Sequence, residues 1–167
     1  MTQKIYNVLF ICTGNSARSI MAEAILNHLG RDQFKAYSAG SHPKGLVHPM
    51  TLEVLSSQGY DLSNLYSKGW ESFAQSEAPK MDFIFTVCDQ AAGENCPVWP
   101  GQPITAHWGF TDPAAATGSP EKQLKIFKAV EGQIANRIRL FLNLPVEKLD
   151  HLSLQARVRE LGQLRDA

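Results

Sequence analysis

The chain has 167 residues, the usual size of one domain, with 44% hydrophobic and 19% charged residues. That mixture supports one packed core and excludes a disordered or fibrous chain. Sixteen Lys and Arg balance sixteen Asp and Glu, so no net field draws the protein to nucleic acid or an anionic membrane. The longest apolar run, Val8 to Cys12, is too short for a membrane span or a secretory leader, and a cytoplasmic protein with neither nucleic-acid nor membrane partner is expected.

Lys4 to Ile11 is apolar and rich in β-formers, as in a strand covered on both faces of a parallel sheet. A polar loop, Thr13 to Ala17, leads to Ser19–Leu29, where Met21, Ile25 and Leu29 recur at helical spacing before Gly30, a suitable residue to end the helix. Phe34 to Ser38 reads as a second strand, Pro49 to Gln58 as a helix, Met81 to Val87 as a third strand and Ile104 to Trp108 as a fourth. Ser119-Pro120-Glu121 caps a helix whose stripe is Phe127, Val130, Ile134, Ile138 and Phe141, with Pro145 as its stop. A last helix is expected after Ser153, with Leu154, Val158 and Leu161 on one face. The alternation predicts an α/β fold, a four-stranded parallel sheet with flanking helices and a site at the carboxyl ends of its strands. Residues 1–145 form the expected domain, and 146–167 a helical extension of it.

The chemistry starts where the first strand ends. Cys12-Thr13-Gly14-Asn15-Ser16-Ala17-Arg18-Ser19 places a cysteine and an arginine at a turn from buried strand to helix. Loop N–H groups and the positive end of the helix converge there, Gly14 and Asn15 accept tight backbone conformations, and Arg18 can grip two oxygens of a tetrahedral anion. The same field favours the Cys12 thiolate, a nucleophile aimed at that anion. The Ser19 hydroxyl is a candidate donor to the sulfur, and the Asn15 amide a brace inside the loop.

Attack on an oxyanion also needs an acid for the departing oxygen. Asp112-Pro113, just after the fourth strand, would lie at the same sheet edge, although an Asp-Pro pair is equally a simple turn. Cys88 follows the third strand and Cys96 comes eight residues later, across a segment rich in Gly, Asn and Pro that reads as a mobile loop. The pair suggests a thiol relay. A zinc site of Cys88, Cys96 and His107 and two inert buried cysteines are the alternatives, the first weakened by a spacing unlike that of structural zinc. None of the five histidines gains a role from its position, and nucleotide-binding glycine patterns are absent.

VLFICTGNSARSIMAEAILN, the following YSAG, FTVCDQAAGENCPVWPG and HWGFTDPA together resemble the arsenate reductases built on the low-molecular-weight protein tyrosine phosphatase fold, over a stretch running to about Asn143. The resemblance implies that Cys12 attacks arsenate held by Thr13, Gly14, Asn15, Ser16, Ala17, Arg18 and Ser19, and that Asp112 assists loss of water or hydroxide. It further implies that Cys88 attacks the Cys12 adduct and releases arsenite, that Cys96 resolves the Cys12–Cys88 disulfide, and that thioredoxin, or else glutaredoxin or glutathione, reduces the resulting Cys88–Cys96 bond. Phosphate and sulfate are the expected competing oxyanions. Phosphatases of this fold carry a second cysteine before the loop arginine and aromatic residues after the Asp-Pro, where this chain has Ala17 and Ala114-Ala115. Some family members bind K+ through residues matching Asn15, Glu23 and Ser38. The remaining ligand positions align with Tyr66 and Lys68, which do not fit, so the Lys68 ammonium is expected to replace the ion; no other metal or cofactor is implied. The Cys88–Cys96 interval is one residue longer than in thioredoxin-coupled members, and the extension after Pro145 lies outside the shared motifs.

Three readings therefore stand: a three-cysteine arsenate reductase with weak phosphatase activity, an aryl phosphate phosphatase using Cys12, Arg18 and Asp112, and a redox sensor whose Cys88 and Cys96 respond to oxidants. Cys88→Ser separates them, since it abolishes multiple turnover in the first, spares the second and removes only disulfide formation in the third.

Overall fold

The computed structural model describes residues 4–88, 99 and 101–164. Strand β1 (Tyr6–Cys12) lies between β2 (Phe34–Gly40) and β3 (Phe83–Thr86), and β4 (Ile104–His107) completes a parallel sheet of order β2-β1-β3-β4. The alternation of the sequence is thus realised as a four-stranded parallel sheet. Val8 to Ile11 are wholly buried, which is why this stretch carries apolar residues on both faces of the pleat. The register pairs Cys12 with Gly40, Ile11 with Thr86 and Thr86 with His107, so all four carboxyl ends reach one edge. The strand order switches direction between β1 and β3, where a crevice opens in such folds.

Helices α1 (Arg18–Leu29), α2 (Pro49–Ser57), α3 (Glu71–Ala74), α4 (Pro120–Leu142) and α5 (His151–Gly162) flank the sheet. Ser119 caps α4 by accepting a hydrogen bond from the Lys122 amide, with Pro120 in its first turn. Its stripe of Phe127, Val130, Ile134, Ile138 and Phe141 is buried. Phe141 meets Phe34, Phe83, Phe85 and Trp108 edge-on or tilted, and Trp108 stacks on Phe85 with centroids 4.1 Å apart. Truncating one of these rings to Ala is worth about 3–5 kcal/mol of stability. No helix among the described residues is long and apolar enough to cross a membrane.

One local expectation is corrected, and one is met on a different physical ground. The last helix begins at His151, because the Asp150 carboxylate accepts from the Ser153 amide at 2.8 Å and takes the cap earlier than Ser153 could. Gly30 ends α1 with φ −113°, outside the left-handed region. A side chain there would begin 2.9 Å from a Leu142 methyl carbon, so close packing of α1 on α4 explains this glycine better than turn geometry. The single turn α3 leaves no sequence signal, being too short to show a helical period.

Candidate active site

The loop between β1 and α1 folds around one sulfur. Cys12 is 3% exposed, and its Sγ accepts from the Asn15 amide at 3.2 Å. Ser19 Oγ lies 2.9 Å from the same sulfur. Asn15 Nδ2 donates to that hydroxyl oxygen at 2.8 Å, which leaves the Ser19 proton for the sulfur. Asn15 is the loop residue with positive φ, at 45°; asparagine tolerates this conformation better than most residues.

Asn15 also ties the loop to a buried polar cluster. Its Nδ2 donates to Ser38 Oγ at 3.0 Å, Ser38 donates to Glu23 Oε1 at 2.5 Å, and Asn15 Oδ1 accepts from the Lys68 amide at 2.8 Å. Lys68 Nζ donates to the Tyr66 carbonyl at 2.7 Å and to Ser38 Oγ at 3.4 Å, and stands 3.7 Å from Glu23 Oε1. Burial raises the Glu23 carboxyl above its ordinary range while Lys68 and Ser38 pull it back, and burial lowers Lys68 while Glu23 restores it. The ammonium thus meets the Ser38 and Glu23 oxygens, two of the groups matched to a K+ ligand set, while the Asn15 oxygen accepts from the Lys68 amide.

The loop carbonyls are turned outward and engaged. Cys12, Thr13, Gly14 and Ser16 accept from the amides of Ser41, His42, Lys44 and His48 at 2.9–3.1 Å, and Ser67 Oγ and Thr51 Oγ1 donate to Gly14 and Ser16. Ala17, at the N-cap of α1, has no side chain to satisfy the first amides of the helix, and such amides lack intrahelical acceptors. Gly40 backs the loop closely: a Cβ there would lie 2.5 Å from the Thr13 carbonyl oxygen and 3.0 Å from the Asn15 amide, so this position of YSAG requires glycine.

A cleft of about 240 Å³ opens over Cys12, lined by Thr13, Gly14, Ser16, Ala17, Arg18, His42, Lys44, Asp112 and Ala114. Arg18 Nη1 donates to the Phe110 carbonyl at 3.0 Å, and its Nη2 faces Asp112 Oδ2 at 3.7 Å. Asp112 Oδ1 accepts from the Ala114 amide at the start of a 3-10 turn, Pro113–Ala115, so the Asp-Pro turn and the cleft carboxylate are one feature. Cys88 is 2% exposed, and its Sγ is 3.4 Å from Oγ1 of Thr13, the residue that follows Cys12. Cys96 and the segment read as a mobile loop lie outside the described residues. Among the described residues no three His, Cys, Asp or Glu side chains form a metal site; His107, a ligand in the zinc alternative, has its Nδ1 2.8 Å from Thr86 Oγ1.

The structure thus brings Cys12, Arg18 and Asp112 to one cleft, Ser19 beneath it against the Cys12 sulfur, Cys88 against Thr13 on its wall, and Asn15, Glu23 and Ser38 to the cluster behind the loop. Sequence reasoning missed His42 and Lys44 at the mouth. They sit on an exposed, aperiodic segment, and only their nearness to YSAG could have flagged them.

A parallel α/β sheet that ends its central strand in a buried thiol, beside an arginine and a helix N-terminus, has the parts that a sulfur nucleophile and a tetrahedral oxyanion would need. Comparison with known sequences gives the family: the chain belongs to the low molecular weight phosphotyrosine protein phosphatases, whose pattern it matches over residues 7–152. Within that family it is similar to an arsenate reductase of Shouchella clausii, 38% identical over 141 residues that cover 84% of this chain and 96% of the relative. A solved arsenate reductase in the phosphate binding state superposes with a TM-score of 0.62 at 27% identity, covering 92% of this chain and 98% of the other. A thioredoxin-dependent arsenate reductase of Corynebacterium glutamicum superposes with a TM-score of 0.55 at 25% identity, covering 84% of this chain and 65% of the other.

Proposed function

We propose that this chain reduces arsenate to arsenite through Cys12, Cys88 and Cys96. The observation that carries the reading is the second buried thiol, Cys88, whose sulfur touches the Thr13 hydroxyl at the side of the oxyanion cleft; a phosphatase needs no such neighbour. Arsenate is held by the loop from Thr13 to Ser19 under the Arg18 guanidinium. The Cys12 thiolate forms an S–As bond, and one arsenic oxygen leaves as water with a proton from Asp112. The Cys88 thiolate then attacks Cys12 Sγ; the S–As bond breaks, its electron pair stays on arsenic, and arsenite departs from a Cys12–Cys88 disulfide. Cys96 attacks Cys88 Sγ, which frees Cys12 and leaves a Cys88–Cys96 disulfide for an external dithiol to reduce.

Thioredoxin is the proposed reductant, supported by the thioredoxin-dependent relative, with glutaredoxin or glutathione as the other candidates. The cytoplasm, where such thiols are kept reduced, is the proposed location. Phosphate and sulfate compete for the cleft. Weak hydrolysis of aryl phosphates follows from the same loop, and Ala114 on the cleft wall itself offers an aryl group no aromatic face. The Lys68 ammonium takes the place of K+, so exchanging K+ for Na+ leaves the rate unchanged; a clear stimulation by K+ overturns this.

The deciding experiment is anaerobic titration of the fully reduced protein with arsenate, with free thiols counted and the disulfide mapped by peptide mass spectrometry. Loss of two thiols, a Cys88–Cys96 bond and stoichiometric arsenite are expected. Survival of all three thiols in excess arsenate removes the reductase reading in favour of phosphate-ester hydrolysis by Cys12, Arg18 and Asp112.

A further inference from the structure

The short segment from Trp108 to Asp112 carries two groups that set the cleft: the Phe110 carbonyl that holds Arg18, and the Asp112 carboxylate that faces it. Two side chains tie this segment to parts of the chain remote from the loop. The Trp108 indole, 1% exposed, donates through Nε1 to the Val158 carbonyl of α5 at 2.9 Å. Arg137, carried inward by α4 and 2% exposed, lies with its guanidinium carbon 5.1 Å from the centroid of the Phe110 ring. Arg137 Nη2 donates to the Leu164 carbonyl at 3.2 Å, so the stretch following α5 holds the far side of that guanidinium.

Helix α5 is itself locked onto the strand that precedes the segment. Arg159 Nε donates to the Thr105 carbonyl at 3.1 Å. A Cβ on Gly162 would collide with the His107 carbonyl oxygen, so a larger residue at this helix end would force α5 off β4. The family pattern ends at residue 152, whereas α5 runs from His151 to Gly162. The carbonyls that hold Trp108 and Arg137, those of Val158 and Leu164, therefore lie beyond the family pattern. A buried arginine costs stability to desolvate, and its planar fork over an aromatic face fixes ring and backbone in one orientation.

We infer that Arg137 is a positioning residue for Asp112, and that α5 with the residues after it serves to hold Arg137 and Trp108 so that the Asp112 carboxylate and the Arg18 guanidinium keep their mutual placement. This rests on the proposed role of Asp112 as proton donor. Arg137 does not reach the cleft; it acts through the Phe110 ring and the backbone that leads to Asp112. Methionine keeps the bulk of the side chain but loses the charge, the fork and the bond to Leu164, whereas lysine keeps a cation that can still lie over Phe110.

The test is the single-turnover rate of arsenite release from the fully reduced full-length protein, measured well below each variant's melting temperature. Asp112→Asn is expected to slow release about a hundredfold, and Arg137→Met, which misplaces the acid without removing it, about tenfold. Their combination is expected to be no slower than Asp112→Asn alone, because both act through one proton transfer. Arg137→Lys recovers most of the rate, and Trp108→Phe, which keeps the stack on Phe85 but loses the indole donor, slows release in the same direction. If Arg137→Met or Trp108→Phe retains the parent rate while Asp112→Asn is slow, the inference falls and the acid role stands. If the Arg137 and Asp112 effects multiply, Arg137 does not act through Asp112 and the inference is equally lost. A parent rate in Asp112→Asn removes the acid role itself, and this inference with it.

Discussion

Lys68 Nζ stands 3.7 Å from Glu23 Oε1, with the two side chains 10% and 8% exposed, and Ser38 and Asn15 link this buried ion pair to the hydroxyl beside Cys12. The pair lies on the far side of the loop from the cleft, so its charges set the orientation of Asn15 without meeting the anion.

Breaking such a pair from one side leaves a buried charge without its counterion. Glu23→Gln and Lys68→Met are each expected to cost about 3 kcal/mol in urea unfolding, whereas the double variant loses less than the sum by at least about 1 kcal/mol. Additive losses would show that the two side chains do not interact through charge.

Ser19 is the last link from this cluster to the sulfur. Ser19→Ala removes the hydroxyl 2.9 Å from Cys12 Sγ and leaves the Asn15 amide to donate to it. A hydrogen bond to a charged sulfur is worth about 1.5–3 kcal/mol, so alkylation of Cys12 by iodoacetamide at pH 6 should slow by about tenfold. The comparison is made on a background carrying Cys88→Ser and Cys96→Ser, so that Cys12 alone reports; an unchanged rate would mean that the hydroxyl does not stabilise the thiolate.

Much of this arrangement could be read from the sequence, for identifiable reasons. Val8 to Cys12 is apolar without a break and is followed at once by Gly14, Asn15 and a helical period, so strand, loop and helix each leave a local signature. Lys44 and His42 leave none, because they reach the cleft only through backbone hydrogen bonds that lay their segment along the loop. Arg137 was hidden for another reason: it sits between apolar positions of a long amphipathic helix, where an arginine is ordinarily a solvated residue, and only the tertiary packing of Phe110 and Leu164 buries it. Glu23 is flagged only by the family resemblance, because its pairing depends on Ser38 and Lys68, fifteen and forty-five positions away.

Lys44 supplies a test of how the cleft attracts its anion. Its aliphatic stem runs across Gly14, where a Cβ would come within 3.1 Å of Lys44 Cε, and its exposed end lines the mouth beside Arg18. Lys44→Ala is expected to weaken binding of inorganic phosphate about fivefold at low ionic strength, with the difference shrinking as salt is added, since an exposed charge is screened beyond a Debye length. Titration calorimetry at two salt concentrations checks this. Equal affinities at low salt would assign Lys44 to loop packing alone.

His48 connects the cleft to acid stability. Its Nδ1 caps α2 by accepting from the Met50 amide at 3.1 Å, a bond that only the unprotonated nitrogen can make, and its ring lies 4.7 Å from that of Phe127. Burial lowers its pKa below the usual histidine value and Lys44 lowers it further, with Asp112 acting in the opposite sense. With the folded value depressed, the unfolded chain takes up a proton first as pH falls, so His48 contributes stability that is complete above the ordinary histidine pKa and is lost as pH drops from there through the folded value. Melting temperatures measured from pH 7.5 down to about pH 5 should therefore fall more steeply for the parent than for His48→Asn, which caps the helix without titrating. Because the asparagine variant also gives up the Phe127 contact, the slope and not the absolute melting temperature carries the result, and parallel slopes would mean that His48 is protonated equally in the folded and unfolded chains.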